Sequence, residues 1–130
     1  MSVKTVSVLE HILQYANEIQ NTINRFGDNI NIFVNDNDYR NSLCMSLLQI
    51  GELTTHLSDD FKIAHPEMDW RNIKQLRNIC AHRYGTLDYN LIWDIAHTDV
   101  LDIKLFCSEQ IKQLEAADKK KKTSRNALSL

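Results

Sequence analysis

The sequence is poor in the residues that make turns. Among 130 residues it has three glycines and one proline, and a chain with so few turn formers suits long helices better than many short strands. It also carries little excess charge, with a formal net charge of −2 at pH 7. A net charge this small does not attract nucleic acid to the protein surface as a whole, so any RNA binding has to come from a local basic patch.

Long apolar runs and metal-binding cysteine patterns are missing as well. No stretch is long enough to span a bilayer, and the N-terminus lacks the basic region and apolar block of a secretory signal. We therefore expect a cytoplasmic protein without a membrane partner. Cys44, Cys80 and Cys107 lie far apart, without a CxxC or a Cys/His spacing suited to zinc. The sequence thus predicts buried free thiols, no metal and no cofactor.

Apolar residues recur at helical spacing in four long segments. The predicted helices cover, roughly, residues 5–25, 38–57, 70–84 and 89–116, with polar connectors between them. The fold class is all-α, an antiparallel four-helix bundle, in one domain over residues 1–117. Residues 118–130 carry four consecutive lysines and little apolar surface, which predicts a disordered, flexible tail.

Gly51 falls inside the apolar face of the second predicted helix. A glycine there costs about 1 kcal/mol relative to alanine, so we expect it to let a neighbouring helix come close. Arg77 lies between Trp70 and Ile73 on a helical wheel of the third predicted helix. An unpaired buried charge is costly, and we therefore predict a buried ion pair between Arg77 and Glu52, the residue after Gly51.

The segment from Arg77 to Tyr84, RNICAHRY, brings together a guanidinium, an amide, an imidazole and a phenol. A guanidinium stabilises charge on a phosphate, and an imidazole moves protons near neutral pH. Arg77 and His82 can therefore cleave RNA without a metal, with His82 as base or acid for attack by a ribose 2′-hydroxyl. Asn78 would orient the imidazole or bond a phosphate oxygen.

The spacing within this segment leaves its geometry open. Arg77 and His82 are five residues apart, so on an ideal helix they diverge by roughly 140°. Either the helix ends between them, or the pocket is shared with a second subunit. Nearby basic side chains are candidates for holding RNA phosphates, with a solvated helix face as the alternative. These side chains are Arg71, Lys74 and Arg83.

The pattern Arg-Asn-x-x-x-His-x-Tyr, between a Trp-led helix and a long terminal helix, resembles the HEPN domain superfamily. In particular it is similar to the HepT-like toxins, which pair with a minimal nucleotidyltransferase antitoxin of the MntA type. The likeness covers roughly residues 5 to 115, and other short motifs fit its order and spacing. These motifs are Ile50-Gly51-Glu52, Asp69-Trp70 and Trp93.

The resemblance implies an all-helical endoribonuclease, commonly a dimer in which two Arg/His motifs face each other. It implies that Arg77 and His82 are the catalytic pair and that Asn78 is their polar neighbour. Tyr84 matches the tyrosine that the antitoxin modifies with AMP. An AMP group at that position would place a bulky anion beside the pair and block RNA.

Two hypotheses of function follow from these observations. In the first, the protein is a metal-independent endoribonuclease toxin, active on RNA as a homodimer and neutralised by AMPylation of Tyr84. In the alternative, it is a non-catalytic helical module that partners a nucleotidyltransferase. Arg77 would then be mainly a buried structural charge paired with Glu52.

Overall fold

The structure, a computed structural model, describes residues 3–81 and 88–128. Within these ranges it has helices and connecting segments and no strand, so the predicted all-α class is confirmed. The helices, in chain order, are α1 (Val3–Phe26), α2 (Ile30–Asn35), α3 (Asn37–Thr54), α4 (Asp59–Ala64), α5 (Trp70–Ala81), α6 (Tyr89–His97) and α7 (Asp99–Leu128). None of these described helices is long and apolar enough to cross a membrane.

The long helix α3 is the centre of the bundle. It packs against α1 on one side and α5 on another, while α7 packs against α1. The core consists of the apolar stripes that the sequence predicted, and full burial of one such side chain stabilises the fold by about 1.5–3 kcal/mol. Its most deeply buried aliphatic members are Leu9, Ile12, Ile19, Leu43, Leu47, Ile50 and Ile92.

The connector before α3 is more structured than the sequence predicted, because it contains the short helix α2. The side chain of Asn29 caps this helix by accepting a hydrogen bond from the backbone N–H of Asn31 at 2.8 Å. Phe33 anchors it in the core, with ring centroids 5.2 Å from Tyr39 and 5.3 Å from Trp93. Six residues are too few to show a helical stripe, so a polar loop was predicted here.

The connector before α5 also contains a helix that the sequence did not predict. Ser58 caps α4 by accepting a hydrogen bond from the backbone N–H of Phe61 at 3.1 Å. Phe61 is buried in the core. The expected break at Pro66 limits this helix to the six residues that end at Ala64.

The predicted fourth helix is two helices, because the chain turns at Thr98. The hydroxyl of Thr98 donates to the carbonyl oxygen of Asp94 at 2.7 Å, and α7 begins at the next residue. Such a hydroxyl bond to the preceding turn competes with the regular helical pattern and bends helices. A hydrophobic period alone does not reveal the bend, since both helices keep an apolar face toward the core.

Helix α7 continues to Leu128, so residues 118–128 are helical where the sequence predicted a chain without structure. Lysine and alanine are good helix formers, which accounts for the continuation. Residues 115–122 are exposed, as expected of a solvated segment. The boundary of the packed domain at residue 117 stays a prediction.

Candidate functional site

Helices α3 and α5 approach most closely at Gly51. A Cβ atom at this position would lie 2.9 Å from the backbone nitrogen of Arg77 and 3.2 Å from the carbonyl oxygen of Ile73. Both atoms belong to the backbone of α5 and cannot move aside without shifting the helix. The expected role of this glycine, to admit a neighbouring helix, is therefore confirmed.

The close approach brings Glu52 and Arg77 together. Their ion pair joins Arg77 Nε to a carboxylate oxygen of Glu52 at 2.5 Å, as the sequence predicted. The predicted burial was wrong, because the Arg77 side chain is 61% exposed and that of Glu52 is 35% exposed. Arg77 lies at the margin of the apolar face of α5, and its long stem carries the guanidinium to solvent.

The exposure of the Arg77–Glu52 pair decides what it contributes. An ion pair near the surface adds only about 0–1 kcal/mol to stability. The pair instead orients the guanidinium, because Glu52 holds its Nε atom. The exposed guanidinium stays accessible to an anion such as a phosphodiester.

The exposed face of α5 carries the other predicted polar residues. Arg71, Lys74 and Asn78 are all exposed, and their spacing of three and four residues places them along one ridge. The ion pairs found among residues 3–81 and 88–128 include neither Arg71 nor Lys74. The ridge is therefore a solvated basic surface that runs beside Arg77.

Three predicted residues, His82, Arg83 and Tyr84, lie outside the described residues. The description of α5 ends at Ala81 and resumes at Asp88, which caps α6 by accepting from the backbone N–H of Leu91 at 3.1 Å. The geometry between Arg77 and His82 therefore stays a prediction. The same holds for the choice between a helix end and a pocket shared by two subunits.

Two of the thiols meet in the structure, although they are 36 positions apart in the sequence. The side chains of Cys44 and Cys80 are hydrogen bonded, which lowers the pKa of Cys44 and raises that of Cys80. Cys80 and Cys107 are buried as predicted, whereas Cys44 is only half-buried. Burial raises the pKa of the Cys107 thiol to about 12.

Sequence analysis missed Arg40, which lines a cleft beside these thiols. Its guanidinium lies over the ring of Tyr89, with Cζ 5.2 Å from the ring centroid. No sequence signal marks this residue, because its neighbours in the cleft come from separate helices. No group of three or more histidine, cysteine, aspartate or glutamate side chains in the described part of the chain could hold a metal ion.

Together, the fold and the site define a small helical-bundle domain with an exposed, carboxylate-oriented arginine on a basic helix. The family model described as "Ribonuclease HepT-like" matches residues 10–110. The chain therefore belongs to the HepT-like ribonuclease family, as the motif between Arg77 and Tyr84 predicted, and this membership assigns it to the ribonucleases.

Relatives from three organisms show the same likeness. The chain is 36% identical over 74 residues to "Putative RNase MJ1380" of Methanocaldococcus jannaschii, covering 57% of this chain and 68% of the relative. It is 29% identical over 72 residues to "Probable ribonuclease HepT" of Thermococcus cleftensis, covering 55% and 66%. It is 29% identical over 112 residues to "Putative RNase TTE0752" of Caldanaerobacter subterraneus subsp. tengcongensis, covering 85% and 94%. No solved structure matches the chain with significance.

Proposed function

We propose that this protein is the toxin of a toxin–antitoxin pair and cuts RNA without a metal, using the ribose 2′-hydroxyl as nucleophile. The observation that carries the proposal is the Arg77 guanidinium, oriented by Glu52 at 2.5 Å and exposed to solvent. It precedes His82 by five residues in a chain of the HepT-like ribonuclease family.

In the proposed reaction His82 takes the proton from the 2′-hydroxyl, and the 2′-oxygen attacks the adjacent phosphorus. The bond to the 5′-oxygen breaks, and the leaving oxygen takes up a proton from an acid, for which His82 of a second subunit is suited. Such proton transfer contributes about 10²–10⁴-fold to the rate. Arg77 neutralises charge that gathers on the phosphoryl oxygens. The products are a 2′,3′-cyclic phosphate and a 5′-hydroxyl.

A homodimer is the proposed active form, because two Arg/His motifs would then face one phosphodiester. The surface of α7 supports association with a second copy. Leu101 and Leu105 are 54% and 61% exposed, and with a spacing of four residues they lie on one side of the helix. Exposed leucines that neighbour one another are typical of interfaces between proteins.

Control by a nucleotidyltransferase antitoxin completes the proposal. Tyr84 would attack the α-phosphorus of ATP, accept AMP and release pyrophosphate. The added phosphodiester carries a negative charge two residues beyond His82, and it would compete with RNA for the Arg77 guanidinium. Modification would therefore stop cleavage by occupying the site with a covalently attached nucleotide.

The decisive experiment compares the purified wild type with His82→Ala and Arg77→Gln on a short RNA in excess EDTA. Cleavage by the wild type alone, with a cyclic phosphate end, is expected. A matched oligonucleotide with a single 2′-deoxy sugar at the cut site should resist cleavage there. Folded wild type that cuts no RNA in the presence or absence of metal would overturn the proposal and favour the non-catalytic partner module.

Control by the antitoxin is tested separately by intact mass after co-expression with a nucleotidyltransferase encoded beside this gene. An added mass of whole AMP units that maps to Tyr84 is expected, and Tyr84→Phe should stay unmodified. An unmodified wild type, or an adduct on another residue, would refute the assignment of Tyr84.

A further inference from the structure

A cleft lies between α3, the end of α5 and the start of α6. Its volume is about 490 Å³. Cys80 and Tyr89 form part of its wall, and in the sequence they flank the segment that contains His82 and Tyr84. The lining residues are Asn37, Arg40, Asn41, Cys44, Met45, Leu48, Cys80 and Tyr89.

The charge of this cleft distinguishes it from three other clefts on the described surface. It is lined by a cation, Arg40, and by no carboxylate among the described residues. Three other clefts each include acidic side chains, and their carboxylates repel an anion. Those side chains are Glu67, Asp69, Asp99 and Asp102 in the first, Asp59 and Asp60 in the second, and Asp28 in the third.

Arg40 is held in place before any ligand binds. Its Nη1 donates to the carbonyl oxygen of Val34 and its Nη2 to the amide oxygen of Asn37, while the guanidinium stacks on Tyr89. A guanidinium has five N–H donors, so these two bonds leave three without an acceptor among residues 3–81 and 88–128. A partly exposed, prearranged guanidinium with spare donors is suited to a phosphate.

The cleft lies on the same helix, α5, as the candidate catalytic residue Arg77, because Cys80 forms part of its wall. Cys80 in its wall lies three residues after Arg77, about 4.5 Å further along the axis of α5. Arg40 lies eleven residues before Gly51 on α3, about 16 Å along the helix axis, and Gly51 contacts the backbone of Arg77. One extended RNA strand could thus place phosphates that are several nucleotides apart at the two arginines. The basic ridge of α5, with Arg71 and Lys74, would attract the same strand.

We infer that this cleft is a second phosphate subsite, in which Arg40 binds a phosphodiester several nucleotides from the scissile one of a single-stranded RNA. The inference rests on the proposed function for its substrate. Arg40 is a binding residue that positions the strand, whereas the reacting atoms lie at Arg77 and His82. Because a phosphate contact does not read the sugar, the subsite also binds the backbone of single-stranded DNA.

The test measures binding in a His82→Ala background, so that RNA is not cut during the measurement. Fluorescence anisotropy with a labelled ten-nucleotide RNA gives Kd at several salt concentrations. Adding Arg40→Gln is expected to weaken binding by about 10-fold and to reduce the salt slope by about 1, the effect of one lost phosphate contact. The same loss is expected with DNA of the same sequence.

A matched control and a second variant make the test specific. Arg25 also lies over an aromatic ring, that of Phe26 at 5.5 Å, but does not line this cleft, and Arg25→Gln should keep Kd and the salt slope. Asn41→Asp places a carboxylate in the cleft, retains Arg40, and is expected to weaken binding as well. Since Asn41 is exposed, this variant serves even if Arg40→Gln does not fold.

The outcomes separate this inference from the proposed function. Unchanged affinity and salt slope in Asn41→Asp, or an equal loss in Arg25→Gln, would overturn the subsite. If wild type does not cleave RNA but binding depends on Arg40, the subsite stands and the nuclease proposal fails. If wild type cleaves RNA and Arg40→Gln binds it equally well, only the subsite fails.

Discussion

Gly51 lies against the backbone of Arg77 so tightly that no side chain fits between them. A methyl group on Gly51 would come within 2.9 Å of the Arg77 backbone nitrogen. The neighbouring residue, Glu52, then reaches the Arg77 side chain. Backbone contact and side-chain contact thus come from consecutive residues of α3, and together they place the guanidinium.

Gly51→Ala is expected to destabilise the protein by about 1–3 kcal/mol through overpacking. The better helix propensity of alanine, about 1 kcal/mol, offsets only part of this cost because the clash is with backbone atoms. Urea denaturation measures the difference in the free energy of unfolding. Met45→Ala, an exposed change in the same helix, should stay within about 0.5 kcal/mol of wild type. A Gly51→Ala protein as stable as wild type, with full activity, would contradict the close approach.

Arg77→Gln is expected to separate activity from stability. Because the side chain is exposed, the free energy of unfolding should change by no more than about 1 kcal/mol. RNA cleavage should fall by about 10²-fold or more, as for other lost groups that stabilise a transition state. Arg77→Lys keeps the charge but not the planar fork, and an intermediate rate is expected. A large loss of stability would instead indicate a mainly structural arginine.

Glu52→Gln and Glu52→Ala test whether the carboxylate positions Arg77. Glutamine keeps an oxygen acceptor for Arg77 Nε, whereas alanine leaves the guanidinium free to rotate. We expect cleavage by the glutamine variant to exceed that of the alanine variant, with both less active than wild type. Equal rates in all three proteins would show that Arg77 needs no orienting partner.

The three thiols should differ in their rate of alkylation by iodoacetamide near neutral pH. The thiolate is the reactive form, and the hydrogen bond from Cys80 lowers the pKa of Cys44. Cys44 should react first, because Cys80 and Cys107 are buried and the pKa of each is raised, that of Cys107 to about 12. Peptide mass mapping over time gives the order. Cys80→Ala removes the donor and should slow the modification of Cys44; if Cys107 reacts first in folded protein, the arrangement is refuted.

Phe33→Ala is expected to destabilise the protein by about 3–5 kcal/mol, the usual cost of removing a buried phenyl ring. The ring of Phe33 is fully buried among Tyr39, Tyr89 and Trp93. Thermal unfolding followed by circular dichroism measures the change. The neighbouring residue provides the control, because Ile32 is 42% exposed and Ile32→Ala should have little effect. Similar losses in both variants would argue against α2 as described.

Much of the site on α3 and α5 could be predicted from the sequence. The glycine in an apolar face predicted a close helix, and the cost of leaving the Arg77 charge without a partner predicted its ion pair with Glu52. The helical wheel placed Arg77 among buried side chains, because a wheel locates the Cα atom and not the end of a long side chain. Local periodicity was thus a good guide to contacts between two regular helices.

Contacts between distant segments could not be predicted in the same way. Cys44 meets Cys80, and Arg40 meets Tyr89, only because α3, α5 and α6 come together in space. A single sequence has no local signal for such pairs. The helix α2 was missed for a different reason: one buried phenylalanine among asparagines is too short a pattern to recognise.

The turn at Thr98 has a consequence for the cleft at Arg40. Helix α6 packs on α2 and α3, whereas α7 packs along α1. The break at Thr98 therefore separates two helices with different neighbours, and Tyr89, the partner of Arg40, lies at the end of α6 farthest from that break. We expect a substitution that joins α6 and α7 into one continuous helix to change the recess at Arg40 without altering any residue that lines it.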